Sequence, residues 1–126
     1  MDQTVLVSID IQKGSEILAA LDEAKLKVKV ALWAVLSEYD DWRLIVSSPQ
    51  FDEPGVDGYG LLNESLRTAG VDSSRKPPTL ILPMSDPFVK QLRRIFGKTK
   101  SVEGMRLGGQ LFGDRLIRDA YVYRIS

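Results

Sequence analysis

The stretch LKVKVALWAVLSEYDDWRLIVSS, residues 26–48, decides the fold. Its apolar period is two. Leu26, Val28, Val30, Leu32, Ala34 and Leu36 fall on one face of an extended chain. Lys25, Lys27 and Lys29 begin the other face, and Ala31, Trp33 and Val35 continue it. The strand therefore starts half-exposed and ends buried on both sides. Residues 37–41 are polar, and Trp42, Leu44 and Val46 then alternate with Arg43, Ile45 and Ser47. Two such runs joined by a short polar turn predict a β-hairpin, 26–36 with 42–48.

The flanking sequence supplies the rest of the fold. Upstream, residues 4–11 read as a short strand with Val5, Val7, Ile9 and Ile11 on one face. Asp10 then serves as the N-cap of a helix reaching about Lys25 on a stripe of Ile17, Leu18 and Leu21. Downstream, residues 58–69 read as a helix with Leu62, Leu66 and Ala69 inward and Gly70 as its stop. Residues 79–84 read as a buried strand. Residues 86–96 read as a helix, with Ser85 or Asp86 as cap, Pro87 in the first turn and Gly97 at the end. Residues 101–107 and 110–112 suggest a second hairpin turning at Gly108-Gly109. A last strand, 119–125, places Tyr121, Tyr123 and Ile125 on one face. The order βαββαβαβββ predicts a single α+β domain, residues 1–126. Its sheet is largely antiparallel, at most mixed, with about three helices packed on it.

Composition narrows the chemistry. The chain contains no cysteine and no histidine. Disulfides, thiolate chemistry, Ser-His-Asp arrangements and the common zinc sites are thereby excluded, and a bound metal would need oxygen ligands. Met1-Asp2 opens the sequence without a basic leader, and no apolar run approaches a membrane span. With the missing cysteines, this leads us to expect a cytoplasmic domain without a membrane partner. The net charge is zero but unevenly placed. Residues 1–64 carry 12 acidic and 5 basic side chains, and residues 65–126 carry 5 acidic and 12 basic. If the asymmetry survives folding, it favours head-to-tail association or an anionic partner.

Four features invite a functional reading. Lys98-Thr99 after Gly97 and the Gly108, Gly109, Gly113 set both miss the spacing of phosphate- and dinucleotide-binding loops. Two acidic groups, Glu38, Asp40, Asp41 and Asp52, Glu53, Asp57, carry oxygen ligands suited to magnesium or calcium, but their spacing matches no calcium loop and ordinary turn chemistry explains them better. Trp33 and Trp42 flank the first hairpin turn as core residues, a ligand platform or an interface anchor. The helix 86–100 is the most informative. Phe88, Val89, Leu92, Ile95 and Phe96 cover one arc and Lys90, Arg93 and Arg94 the opposite one, with Lys98 and Lys100 following. These five cations are the candidate anion- or partner-binding residues.

The resulting expectation is a noncatalytic domain acting through protein contacts, including self-association into a homo-oligomer. The alternative is a nucleic-acid-binding module using the basic helix. A magnesium- or calcium-dependent enzyme built on carboxylates comes third. No catalytic, metal or cofactor-binding residue is assigned, and no cofactor is expected.

Overall fold

A computed structural model of the chain describes residues 6, 8–39, 41–72 and 77–126. The chain forms α1 (Ser8–Glu23), then β1 (Val30–Leu36) and β2 (Arg43–Ser47). A short 3-10 turn, Pro49–Asp52, leads to α2 (Gly58–Thr68), β3 (Thr79–Ile81) and α3 (Pro87–Phe96). β4 (Arg106–Leu107), β5 (Gln110–Phe112) and β6 (Arg115–Ile125) close the fold. The six strands make one sheet in the order β3-β2-β1-β6-β4, with β5 also on β6. Only the β2–β3 pair among them is parallel. The architecture is a single α+β domain with a mixed, mostly antiparallel sheet. Among the described residues no helix is long and apolar enough to cross a membrane.

β1 is buried along its whole length, because both its edges are paired and helices cover both faces. Val30, Leu32, Ala34 and Leu36 meet Phe88, Val89 and Leu92 of α3 in one layer. Ala31, Trp33 and Val35 meet Ile17 and Leu21 of α1 and Leu62 and Leu66 of α2 in the other. The hairpin is the expected one, with Leu32 opposite Ile45 and Trp33 opposite Leu44. Its entry differs. Leu26 and Val28 belong to the α1/α2 layer, opposite the face of Val30 and Leu32. A tight turn, in which the Val28 amide donates to the Leu26 carbonyl at 3.0 Å, breaks the period of two before the strand begins.

The opening strand is also corrected. Ser8–Ile11 form the first turn of α1, and Thr4, Val5 and Val7 lie outside the described residues. Each residue added to a helix gains one hydrogen bond, and the Asp10 carboxylate suits the positive end of the helix dipole from inside the first turn rather than as a cap. The expected strand 79–84 shortens to an edge strand of three half-buried residues, ended before Pro83.

Helices α1 and α2 end alike. The Leu26 amide donates to the Leu21 carbonyl and the Val71 amide to the Leu66 carbonyl, each spanning a left-handed residue. In α2 that residue is Gly70, as expected, but in α1 it is Lys25, with φ of 66°. A β-carbon in this conformation is crowded by about 1–2 kcal/mol. Lys25→Gly should therefore stabilise the fold by about 1 kcal/mol, read as a higher denaturant midpoint at unchanged slope. A lower midpoint would refute the strain.

The second hairpin turns elsewhere than the glycine pair suggested. β4 and β5 do not pair with each other. Arg106 opposite Tyr121, Leu107 opposite Ala120 and Gln110 opposite Ile117 keep one register along the same edge of β6. Gly108-Gly109 is thus an interruption within one edge strand, and the tight turn is Gly113-Asp114. Gly113 has φ of 60° and lies so close under α3 that an added Cβ would come within 2.6 Å of the Pro87 carbonyl carbon. Glycine is required there both for conformation and for space.

β6 carries two register shifts against β1. One leaves Tyr123 as an extra residue between Val122, opposite Leu32, and Arg124, opposite Ala31. Tyr121 and Tyr123 share the α1 side as expected, but the bulge turns Ile125 into the α3 layer.

Candidate interaction face and the tyrosine lock

α3 is held down by its apolar stripe and its start. Phe88, Val89 and Leu92 are fully buried, and the Phe112 ring meets Phe88 edge-on at 6.4 Å and Phe96 at 6.2 Å. Asp86 caps the helix, with Oδ1 accepting the Phe88 amide at 2.9 Å. Its Oδ2 faces Arg115 at 3.3 Å, and Arg115 also binds Glu38. The stripe is narrower than the helical arc implied, because Ile95 lies at its fringe and is 48% exposed.

The opposite arc presents Lys90 and Arg94, and Lys98 and Lys100 follow in the loop; all four are exposed. None of the four enters an ion pair among the described residues. Arg93 differs from the expectation. It is half-buried, and its Nε donates to the Ser126 carbonyl at 2.7 Å, tying α3 to the end of β6. Residues 87–100 hold five cations and no acid.

The other face of the sheet has the opposite sign. α1 carries four acidic side chains and one basic, and residues 49–68 carry the same balance. Folding interleaves the two halves of the sequence, and two ion pairs, Arg124–Asp22 and Arg115–Glu38, join second-half cations to first-half acids. What survives of the linear asymmetry is a difference across the sheet, with a basic helix on one side and two acidic helical segments on the other.

The acidic loops are occupied with local structure. Asp41 Oδ1 accepts the Trp42 amide at 2.7 Å, Asp52 Oδ2 accepts the Met84 amide at 2.8 Å, and Asp57 precedes α2. Asp40 lies outside the described residues. Among the described residues no three carboxylates converge as a metal site would need.

One cluster escaped the sequence reading. The bulge in β6 aims the Tyr123 hydroxyl beneath α1, where it donates to the Ile11 carbonyl at 2.6 Å and accepts the Trp33 indole N–H at 2.9 Å. Gly14, buried in α1, makes room for both rings. A bulge leaves no mark in apolar periodicity, so the sequence pattern does not pair Gly14 with Tyr123. Burial pushes the Tyr123 hydroxyl well above its ordinary pKa of 10.0, helped by Tyr121 and Asp10 and opposed by the hydrogen bond from Trp33. The folded chain holds this proton more tightly than the unfolded chain. Its contribution is complete below about pH 10 and is lost as pH rises further. The melting temperature should therefore fall more steeply between about pH 10 and 12 in the wild type than in Tyr123→Phe. Parallel declines would contradict the buried, neutral hydroxyl.

Comparison with protein-family models, curated proteins and solved structures finds no match to this chain.

Proposed function

We propose that this chain is a noncatalytic, cytoplasmic interaction domain that uses the outer face of α3 to bind an acidic protein surface. In the homotypic form, that surface is the α1/α2 side of a second copy. The reading rests on the difference in charge between the helices on the two sides of the sheet: residues 87–100 hold five cations and no acid, whereas α1 and residues 49–68 each hold four acids and one base. Complementary patches on opposite faces of one molecule favour head-to-tail contact.

The test is sedimentation at low and high salt, with gel shifts on random DNA and RNA. The protein is compared with the Lys90→Ser, Arg94→Ser, Lys98→Ser variant. The three side chains are exposed and enter no ion pair among the described residues, so each change should cost under about 0.5 kcal/mol and leave the melt nearly unchanged. The wild type should gain mass with concentration at low salt, lose that gain as salt rises, and the variant should stay monomeric. Micromolar nucleic-acid binding that vanishes in the variant would replace this reading with the nucleic-acid one. A monomer under all conditions would overturn the homotypic form.

A further inference from the structure

We propose that the open hollow at the end of the sheet where β1 begins and β6 ends is a binding site for an oligophosphate. Lys25, Lys27 and Lys29 line it, with Asp22 and Arg124. It measures about 620 Å³, inside the range of small-molecule sites. Asp22 is the one acid of the lining, and Arg124 engages both of its carboxylate oxygens, at 2.8 Å each. Three ammonium groups are left in excess. None of them enters an ion pair among the described residues. Lys25 and Lys27 are exposed and Lys29 is half-buried.

The backbone that carries the lysines is fixed without a ligand. The Gln50 side chain accepts the Lys27 amide at 3.1 Å and donates to the Lys25 carbonyl at 3.5 Å. The Lys29 amide donates to the Ser47 carbonyl at 2.9 Å, and the Lys29 carbonyl accepts the Ser126 amide at 2.8 Å. Attachment points already in place spare a ligand part of the cost of ordering the site. The strain at Lys25 points the same way. Among the described residues other than glycine, Lys25 alone has a positive φ, whereas α2 ends in the same kind of turn on Gly70. Glycine would close α1 without strain and without a charge. A side chain held in a costly backbone conformation is a pointer to function, and here it adds a third ammonium to the hollow.

The donors choose the ligand. Arginine matches a flat carboxylate with two parallel bonds, and the arginine of this hollow is already engaged in that way by Asp22. The lysines offer compact point charges, which read charge density rather than shape. A chain of phosphates concentrates several negative charges in a small volume. Leu26 and Val28 also border the hollow, but at 8% and 3% exposed they leave no apolar face for a ring.

Amide spectra of the nitrogen-15-labelled protein, followed during titration with phosphate, diphosphate and tripolyphosphate at constant ionic strength, test the site. The shifts should saturate, be largest at residues 25–29 and Ser126, and give affinities that rise with the length of the phosphate chain. Lys27→Gln and Lys25→Gly should each weaken tripolyphosphate about two- to fivefold. Lys27 is exposed, so the melt of Lys27→Gln should stay put and separate lost binding from lost fold. The Lys90→Ser, Arg94→Ser, Lys98→Ser variant should bind tripolyphosphate like the wild type, which separates this site from the outer face of α3. Adenosine triphosphate should bind no tighter than tripolyphosphate. Shifts that grow without saturation, or binding lost in the α3 variant and kept in Lys27→Gln, would overturn the site. Equal affinity for the three anions, or tighter binding of the nucleotide, would overturn the class of ligand.

Discussion

Gly14→Ala should lower stability by about 2 kcal/mol, although the same change in an open helix raises it by about 1. A Cβ at Gly14 would lie 2.3 Å from the Tyr123 hydroxyl oxygen and 2.8 Å from the Trp33 indole nitrogen. Neither atom can yield cheaply. The hydroxyl is held by Ile11 and Trp33, and the indole is buried against α1. Relief requires either lifting α1 from the sheet or breaking both hydrogen bonds. Tyr123→Phe alone leaves the Trp33 N–H and the Ile11 carbonyl without their partner, at about 1–3 kcal/mol. In the Gly14→Ala background the same change removes the atom nearest the clash, so it should cost much less there than in the wild type. Chemical denaturation of the four proteins measures this coupling. A Gly14→Ala protein as stable as the wild type, or strictly additive changes, would show that α1 does not sit on the tyrosine.

The second large effect lies in the central strand. Leu32→Ala should cost about 2–5 kcal/mol, because Leu32 has no exposed surface and sits between Ile45 and Val122 beneath α3. Val46→Ala, on the α1/α2 side, should cost about 1–3 kcal/mol. Lys27→Ala, at an exposed position just before the strand, should cost less than about 0.5 kcal/mol. Equal losses at Leu32 and Lys27 would mean that Leu32 is not the buried residue of the pair.

Residues 26–48 and 86–97 reveal most of their structure by pattern. The hairpin, the stripe of Phe88, Val89 and Leu92, the cap at Asp86 and the stop at Gly70 all depend on neighbours within a few positions. The exposed cations Lys90, Arg94, Lys98 and Lys100 were legible for the same reason, because an outward arc follows once the inward one is known. Arg93 was not, since its partner is Ser126, 33 residues away. Ile95 was misplaced because helical geometry defines an arc but not how much of it a neighbouring surface covers.

What the sequence by itself determined, then, is the class of fold, the doubly buried central strand and the basic outer arc of α3. Each follows from local periodicity and capping. Tertiary structure alone decided that residues 8–11 join a helix, that Gly108-Gly109 interrupts a strand and Gly113-Asp114 turns it, and that one bulge sets Tyr123 beneath Gly14. It also decided where the charges end up, by placing α3 on one face of the sheet and α1 and α2 on the other. The physical reason is common to all of these. They depend on which strand edges pair and which faces are covered, and those contacts join residues as far apart as Ile11 and Tyr123, beyond the reach of any local pattern.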